Sequence, residues 1–227
     1  MAINPNEQEQ IDQIKTWWQE NGRLVVISVL VFAAVIFGGQ FFKKSKEAKS
    51  VAASAEYQVM LLKMQQNSAI DAMQIGEKIV LDYHNTPYAL QAALLLAKIY
   101  IDGAQKPDKK PEDKKASLDK AATHLRRVVE QAAQSPLQHL ARVRLARLLT
   151  EMDQYDQALS LLNGVEPGKM KEVYEEIKGD IYYAQGKVNE ARDAYRRSLE
   201  GMETGSDRST LLQMKLNHLS TEKKQAG

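Results

Sequence analysis

From Leu24 to Phe42 the chain reads LVVISVLVFAAVIFGGQFF, nineteen residues without a charge. As a helix this run is roughly 28 Å long at about 1.5 Å per residue, close to the ~30 Å hydrocarbon core of a bilayer. Its apolar side chains surround the helix, so no face is left to turn toward water. In a bilayer each larger apolar side chain favours insertion by roughly 0.3–0.6 kcal/mol, and no charge opposes them. The run predicts a single transmembrane helix over residues 24–42. The bland alternative is a buried core helix, and the length and all-round apolarity weigh against it.

The tail before it, residues 1–23, carries Glu7, Glu9, Asp12 and Glu20. It has neither the positive start nor the small-residue cleavage site of a signal peptide, which predicts an uncleaved anchor. Trp17 and Trp18 fall where an aromatic belt meets the headgroups, on a short amphipathic stretch with Ile11 and Ile14. Ala34 and Gly38 form one small-xxx-small pair, a possible helix-packing face. The flanking charges bear on orientation. Lys15 and Arg23 precede the run, whereas Lys43, Lys44, Lys46 and Lys49 follow it. Counted alone, the positive-inside rule would keep the large C-terminal part in the cytoplasm.

Residues 43–50 read as a charged linker that continues as helix, and residues 51–227 as a repeat domain. The evidence for repeats is an offset of 33 residues. It relates Ala146 to Gly179, Leu149 to Tyr182, Tyr155 to Val188, Ala158 to Ala191 and Leu162 to Tyr195. This is the period of helix–turn–helix repeats of the tetratricopeptide kind. The small residues let two antiparallel helices approach, and the large ones fill the space between hairpins. Asp153 and Gly186 fall in the tight turns, where Gly186 supplies a left-handed helix end. An earlier copy pairs Ala97 and Tyr100 with Ala121 and Leu125. It is interrupted by AQKPDKKPEDKK, residues 104–115, read as a solvated loop. Upstream, VAASAEYQVMLLKMQQ and AIDAMQIGEKIVLDY read as one degenerate helix pair. Thr86-Pro87 and Ser135-Pro136 mark helix starts, each with a capping hydroxyl. Leu212, Leu216 and Leu219 form the apolar stripe of a terminal capping helix. The fold class is therefore all-α: one transmembrane helix, then a tetratricopeptide-like helical-hairpin solenoid.

Composition excludes more than it specifies. The net charge is +2, with 26% charged residues, so no strong field recruits a nucleic acid or an acidic substrate. The absence of cysteine excludes disulfides, thiolate metal sites, a cysteine nucleophile and a lipoprotein anchor. His84, His124, His139 and His218 show no metal-ligand spacing, and His84 sits in a turn where capping is the expected role. There is no nucleophile elbow and no phosphate-cradling glycine loop. We expect no catalytic, cofactor or metal residues and no small-molecule substrate. A solenoid of hairpins presents the first helix of each repeat to a polypeptide. The residues expected on that groove are Leu94, Lys98 and Ile101, then Val143, Arg147 and Thr150, then Glu176, Asp180 and Tyr183. Asp180, beside Gly179, is alternatively a hydrogen-bond acceptor for a neighbour.

The anchor and the segments YALQAALLLAKIY, ARVRLARLL, YDQALSLL and GDIYYAQGKVNEARDAYRRSL together resemble the YfgM family of proteobacterial inner-membrane proteins. The resemblance covers essentially the whole chain. It implies an ancillary subunit of the SecYEG translocon, with its N-terminus in the cytoplasm and its repeat domain in the periplasm. It implies association with the membrane-anchored chaperone PpiD and no enzyme activity. Two other readings fit the residues: a membrane-tethered scaffold for another envelope complex, and a regulator acting through its short cytoplasmic tail.

Overall fold

The computed structural model describes residues 5–133, 135–203 and 205–225, with side chains described at 13, 15–33, 35–37, 40–133, 135–203 and 205–219. Ile11, Ile14, Ala34 and Gly38 lie outside the described side chains. The described residues form nine α-helices and one short 3-10 turn, and no strand occurs among them. The helices are α1 (Pro5–Gln65), α2 (Ala69–Asp82), α3 (Pro87–Ala104), α4 (Pro111–Gln131), α5 (Pro136–Glu151), α6 (Tyr155–Asn163), α7 (Lys171–Ala184), α8 (Val188–Glu200) and α9 (Asp207–Gln225). The chain divides into two compact units, one ending at Ala52 and the other beginning at Ala53.

The first unit is helical throughout its described length. Its apolar window has a mean hydropathy of 2.5 and is 0% buried. Leu24, Val29, Leu30, Phe32, Val35, Phe37, Phe41 and Phe42 all stand more than half exposed. A core helix would have covered these side chains with protein, so the segment has the length and the all-round exposed apolar surface of a membrane span. Trp17 and Trp18 are likewise exposed.

The second unit is a stack of antiparallel hairpins, α1–α2, α3–α4, α5–α6 and α7–α8, closed by α9. Three of the four turns are built alike. Asn67, Asp153 and Gly186 each adopt a left-handed backbone, with φ of 56°, 58° and 74°. Each turn then returns two amides to the ending helix: Lys187 N to Tyr182 O at 2.8 Å and Gly186 N to Tyr183 O at 2.9 Å in the last. The same pair recurs from Gln154 to Leu149 and from Ser68 to Lys63, at 2.8 and 2.9 Å. This satisfies carbonyls that the helix end would leave orphaned.

The small residues lie where helices touch. Ala97, Ala121, Ala146, Ala158 and Ala191 are all 0–1% exposed, and Gly179 is buried too. Leu125, Leu149 and Leu162 are also in the core, as is Tyr195. Gly76 plays the same part in the first hairpin. A Cβ there would come within 2.6 Å of Met60 Cε and 2.9 Å of Leu96 Cδ2. Each large side chain fully buried in this way contributes roughly 1.5–3 kcal/mol relative to exposure.

Two details differ from the sequence reading. The segment 104–115 is not a loop throughout, because α4 begins at Pro111. Proline lacks only an amide that the first turn does not use, and Glu112 and Asp113 favour the positive helix start. Thr86 accepts from Ala89 N as expected, at 3.4 Å, but Ser135 makes no such bond. Its hydroxyl turns back and donates to Ala132 O at 2.7 Å, closing the end of α4 instead.

Candidate partner-binding face

The nine residues expected on the groove lie on α3, α5 and α7, and their fates differ. Leu94 and Val143 are buried among apolar neighbours and have no surface to offer. Ile101 packs half-buried against the same core. Thr150 spends its hydroxyl on Ala146 O at 2.7 Å, inside its own helix. Lys98 is exposed and pairs with Asp102 one turn on, at 2.6 Å. Arg147 is exposed and makes no ion pair among the described residues. Tyr183 is 39% exposed, its ring edge-on to His218 at 6.3 Å.

The three residues on α7 meet another part of the chain. Glu176 is only 5% exposed, and both its oxygens are taken. Arg208 donates to Oε2 through Nε at 2.8 Å and also through Nη2, and Lys215 donates to Oε1 at 3.3 Å. Asp180 accepts at Oδ1 from Lys215 Nζ and from the Tyr195 hydroxyl, both at 2.7 Å. Arg208, Lys215 and His218 all lie on α9. The terminal helix thus covers the face of α7 that the repeat register assigns to a partner.

Electrostatics explain how a buried carboxylate is tolerated there. Burial alone would raise the Glu176 pKa. The bonds and charges of Arg208 and Lys215 outweigh it and hold the group below its ordinary value. Glu175 repeats the arrangement toward α8. Burial raises it, and Lys178 at 2.8 Å with Arg197 at 2.6 Å brings it below normal. Tyr195 is pushed well up, first by burial and then by its bond to Asp180.

A second polar cluster ties α2, α3 and α4. Glu77 Oε1 accepts from Tyr100 Oη at 2.8 Å and lies 3.0 Å from His124 Nε2, and the Tyr100 and His124 rings stack 5.7 Å apart. Burial lowers the His124 pKa despite Glu77. Burial, with the Glu77 bond, pushes Tyr100 up to about 12. Its three members are spent on one another across three helices, which makes it a staple. Among the described residues no group of three or more His, Asp or Glu side chains is placed to hold a metal ion. His84 lies against Leu81 O at 3.3 Å, at the end of α2.

Sequence reasoning did not find Arg208, Lys215 or the role of Glu176. Charges on an exposed helix face carry no periodic mark of their partners. The available signal was two cations seven residues apart on the edge of the leucine stripe of α9.

Comparison with known proteins fits this architecture. The family model described as a tetratricopeptide repeat-like domain matches residues 15–221. An "Ancillary SecYEG translocon subunit" of Neisseria gonorrhoeae is 30% identical over 221 residues, 96% of this chain and 100% of that one. The chain belongs to the family of ancillary SecYEG translocon subunits. An Escherichia coli protein that bears the same name as that relative is 25% identical, over 97% of this chain and all of its own. In the fold alone, a thermophilic tetratricopeptide repeat protein of Thermus thermophilus is similar, with a TM-score of 0.55. Its identity is 16%, over 86% of this chain and 96% of that one. The matches to these ancillary-subunit relatives run over both the apolar helix and the repeat unit of this chain.

Proposed function

We propose that this protein is a non-catalytic, membrane-anchored subunit of the SecYEG translocon. One observation carries the reading: relatives of that name match from end to end, anchor included. A scaffold assembled on some other envelope complex would share the repeats without that match to the whole chain. The anchor places the protein in the inner membrane and confines the repeat unit to its surface. A confined module works with weak intrinsic affinity, because tethering raises the effective concentration of each binding partner.

The finer reading is that the repeat unit lies in the periplasm and acts with the chaperone PpiD on emerging proteins. The family resemblance supports it. The four lysines after the span oppose it, as a bias confined to short flanks. Lys98, Arg147 and Tyr183 are the expected groove residues that still expose a side chain, and they are the proposed contacts.

Crosslinking in intact cells tests this proposal. A tagged full-length chain purified under denaturing conditions is expected to carry adducts of SecY, SecE or SecG, and of PpiD. Adducts only to an unrelated envelope complex would favour the scaffold reading. A C-terminal reporter active on one side of the membrane decides the orientation.

A further inference from the structure

The geometry points to α9 as an internal stand-in for a partner: the acidic face of α7 is a docking surface for a basic amphipathic helix, which enters by displacing α9. The inference rests on the proposed function only in supposing that a protein partner exists.

The chemistry of the present occupant defines the surface. Glu176 and Asp180 receive two cations placed seven residues apart, Arg208 and Lys215. Beside them Leu212, Leu216 and Leu219 close over Ala191 and Tyr195. Lys215 also lies over the Tyr195 ring, 5.4 Å from its centre. A partner helix with cations at i and i+7, flanking leucines at i+4, i+8 and i+11, would satisfy every one of these groups. A neutral or acidic helix would leave a buried carboxylate unpaired, which is costly.

Four features make α9 the removable part. Its leucines share a core of five buried residues with Ala191 and Tyr195 of α8, separate from the larger core built by α1 to α7. It can therefore leave without opening that larger core, and units with few buried contacts open first. The side chains that fasten it are reachable by solvent: Arg208 is 41% and Lys215 29% exposed, so salt competes for them. The loop that delivers it contains Gly205 at φ 88°, a conformation other residues rarely adopt. The outer side of α9 also shows Leu211 and Met214, 50% and 62% exposed, a poor finish for a permanent polar cap.

The probe is a fluorescent peptide of residues 206–225, titrated against the full-length protein in detergent and followed by anisotropy. The peptide is expected to bind, and to bind about tenfold or more weakly when it carries Arg208→Glu and Lys215→Glu, since charge-assisted bonds fasten it. Raising the salt should loosen the resident helix and the peptide alike. The chain has no cysteine, and Arg192 of α8 donates to Leu219 O of α9 at 3.4 Å, so an Arg192→Cys, His218→Cys variant offers one pair to a short bismaleimide while leaving Tyr183, Glu176, Asp180, Arg208 and Lys215 in place. Before linking, this variant should bind the peptide; after linking it should not. Absence of peptide binding by both the wild type and the unlinked variant would overturn the inference. Equal binding before and after linking would also overturn it, by placing the peptide elsewhere. Recovery of translocon subunits is a separate readout. Peptide binding without them would fail only the proposed function, and the converse would fail only the displacement.

Discussion

The ring of Tyr195 lies directly on the backbone of Gly179, so close that a Cβ at position 179 would run into its Cδ1 and Cε1 atoms. The contact joins α7 to α8, and the Tyr195 hydroxyl then reaches Asp180 at 2.7 Å. Gly179→Leu must push the ring out of its site. Overpacking of this kind costs about 1–3 kcal/mol. The thermal midpoint should fall by roughly 2–4 °C for each kcal/mol lost. Ala191→Trp, at a position fully buried on α8, should behave alike. An unchanged midpoint for both variants would mean that these faces do not touch.

The repeat unit should fold without the anchor. Its buried side chains come from within the stretch that begins at Ala53. A fragment beginning at Lys46 is expected to give a strongly helical circular dichroism spectrum and a cooperative melt. A spectrum of disordered chain would remove the repeat account altogether.

Acid should weaken the fold in two stages. His124 is held below its ordinary value of 6.5, mainly by burial. Its unfolded form therefore takes the proton first, and stability present above that value is lost as pH falls toward the lowered native one. Glu175 and Glu176 are held below 4.5 because their cations outweigh burial. Their contribution is complete above that value and disappears as pH drops through the depressed native values. His124→Gln should erase the first stage of a melting-temperature titration, and Glu176→Gln should blunt the second while lowering stability at neutral pH. A melting temperature that rises on acidification would have the wrong sign.

The exposed pair Arg147 and Tyr183 should matter for partners and little for folding. Arg147→Glu combined with Tyr183→Ala is expected to lower recovery of translocon subunits while leaving helical content and membrane extraction unchanged. Recovery equal to wild type would move the docking site to another face, such as the spanning helix.

Much of this was readable in the residues, for physical reasons. Leu24–Phe42 announces itself because a helix this long and apolar all round finds its surroundings only in a bilayer or in the core of a large protein. Ala146, Gly179, Ala158 and Ala191 announce the hairpins because close helix approach admits only small side chains, repeated at each copy. Gly186 marks its turn for the same steric reason. Asn67, which takes the equivalent left-handed turn, was harder to see, since asparagine occurs in many other settings. Ser135 offered a capping hydroxyl and used it on the preceding helix. A hydroxyl has two helix ends within reach there, and sequence does not rank them. The covering of Glu176 and Asp180 by α9 left no periodic mark in the residues. It depends on how a terminal helix seats in space, and the leucine stripe alone reports only that it seats.

The central claim is that anchor and repeat unit together form a translocon subunit. Its most direct measurement is purification of the tagged full-length chain from membranes in mild detergent, beside the fragment beginning at Lys46, with quantitative mass spectrometry of what accompanies each. SecY, SecE and SecG are expected with the full-length chain and in smaller amounts with the fragment. A full-length chain recovered alone, or only with an unrelated complex, would contradict the account.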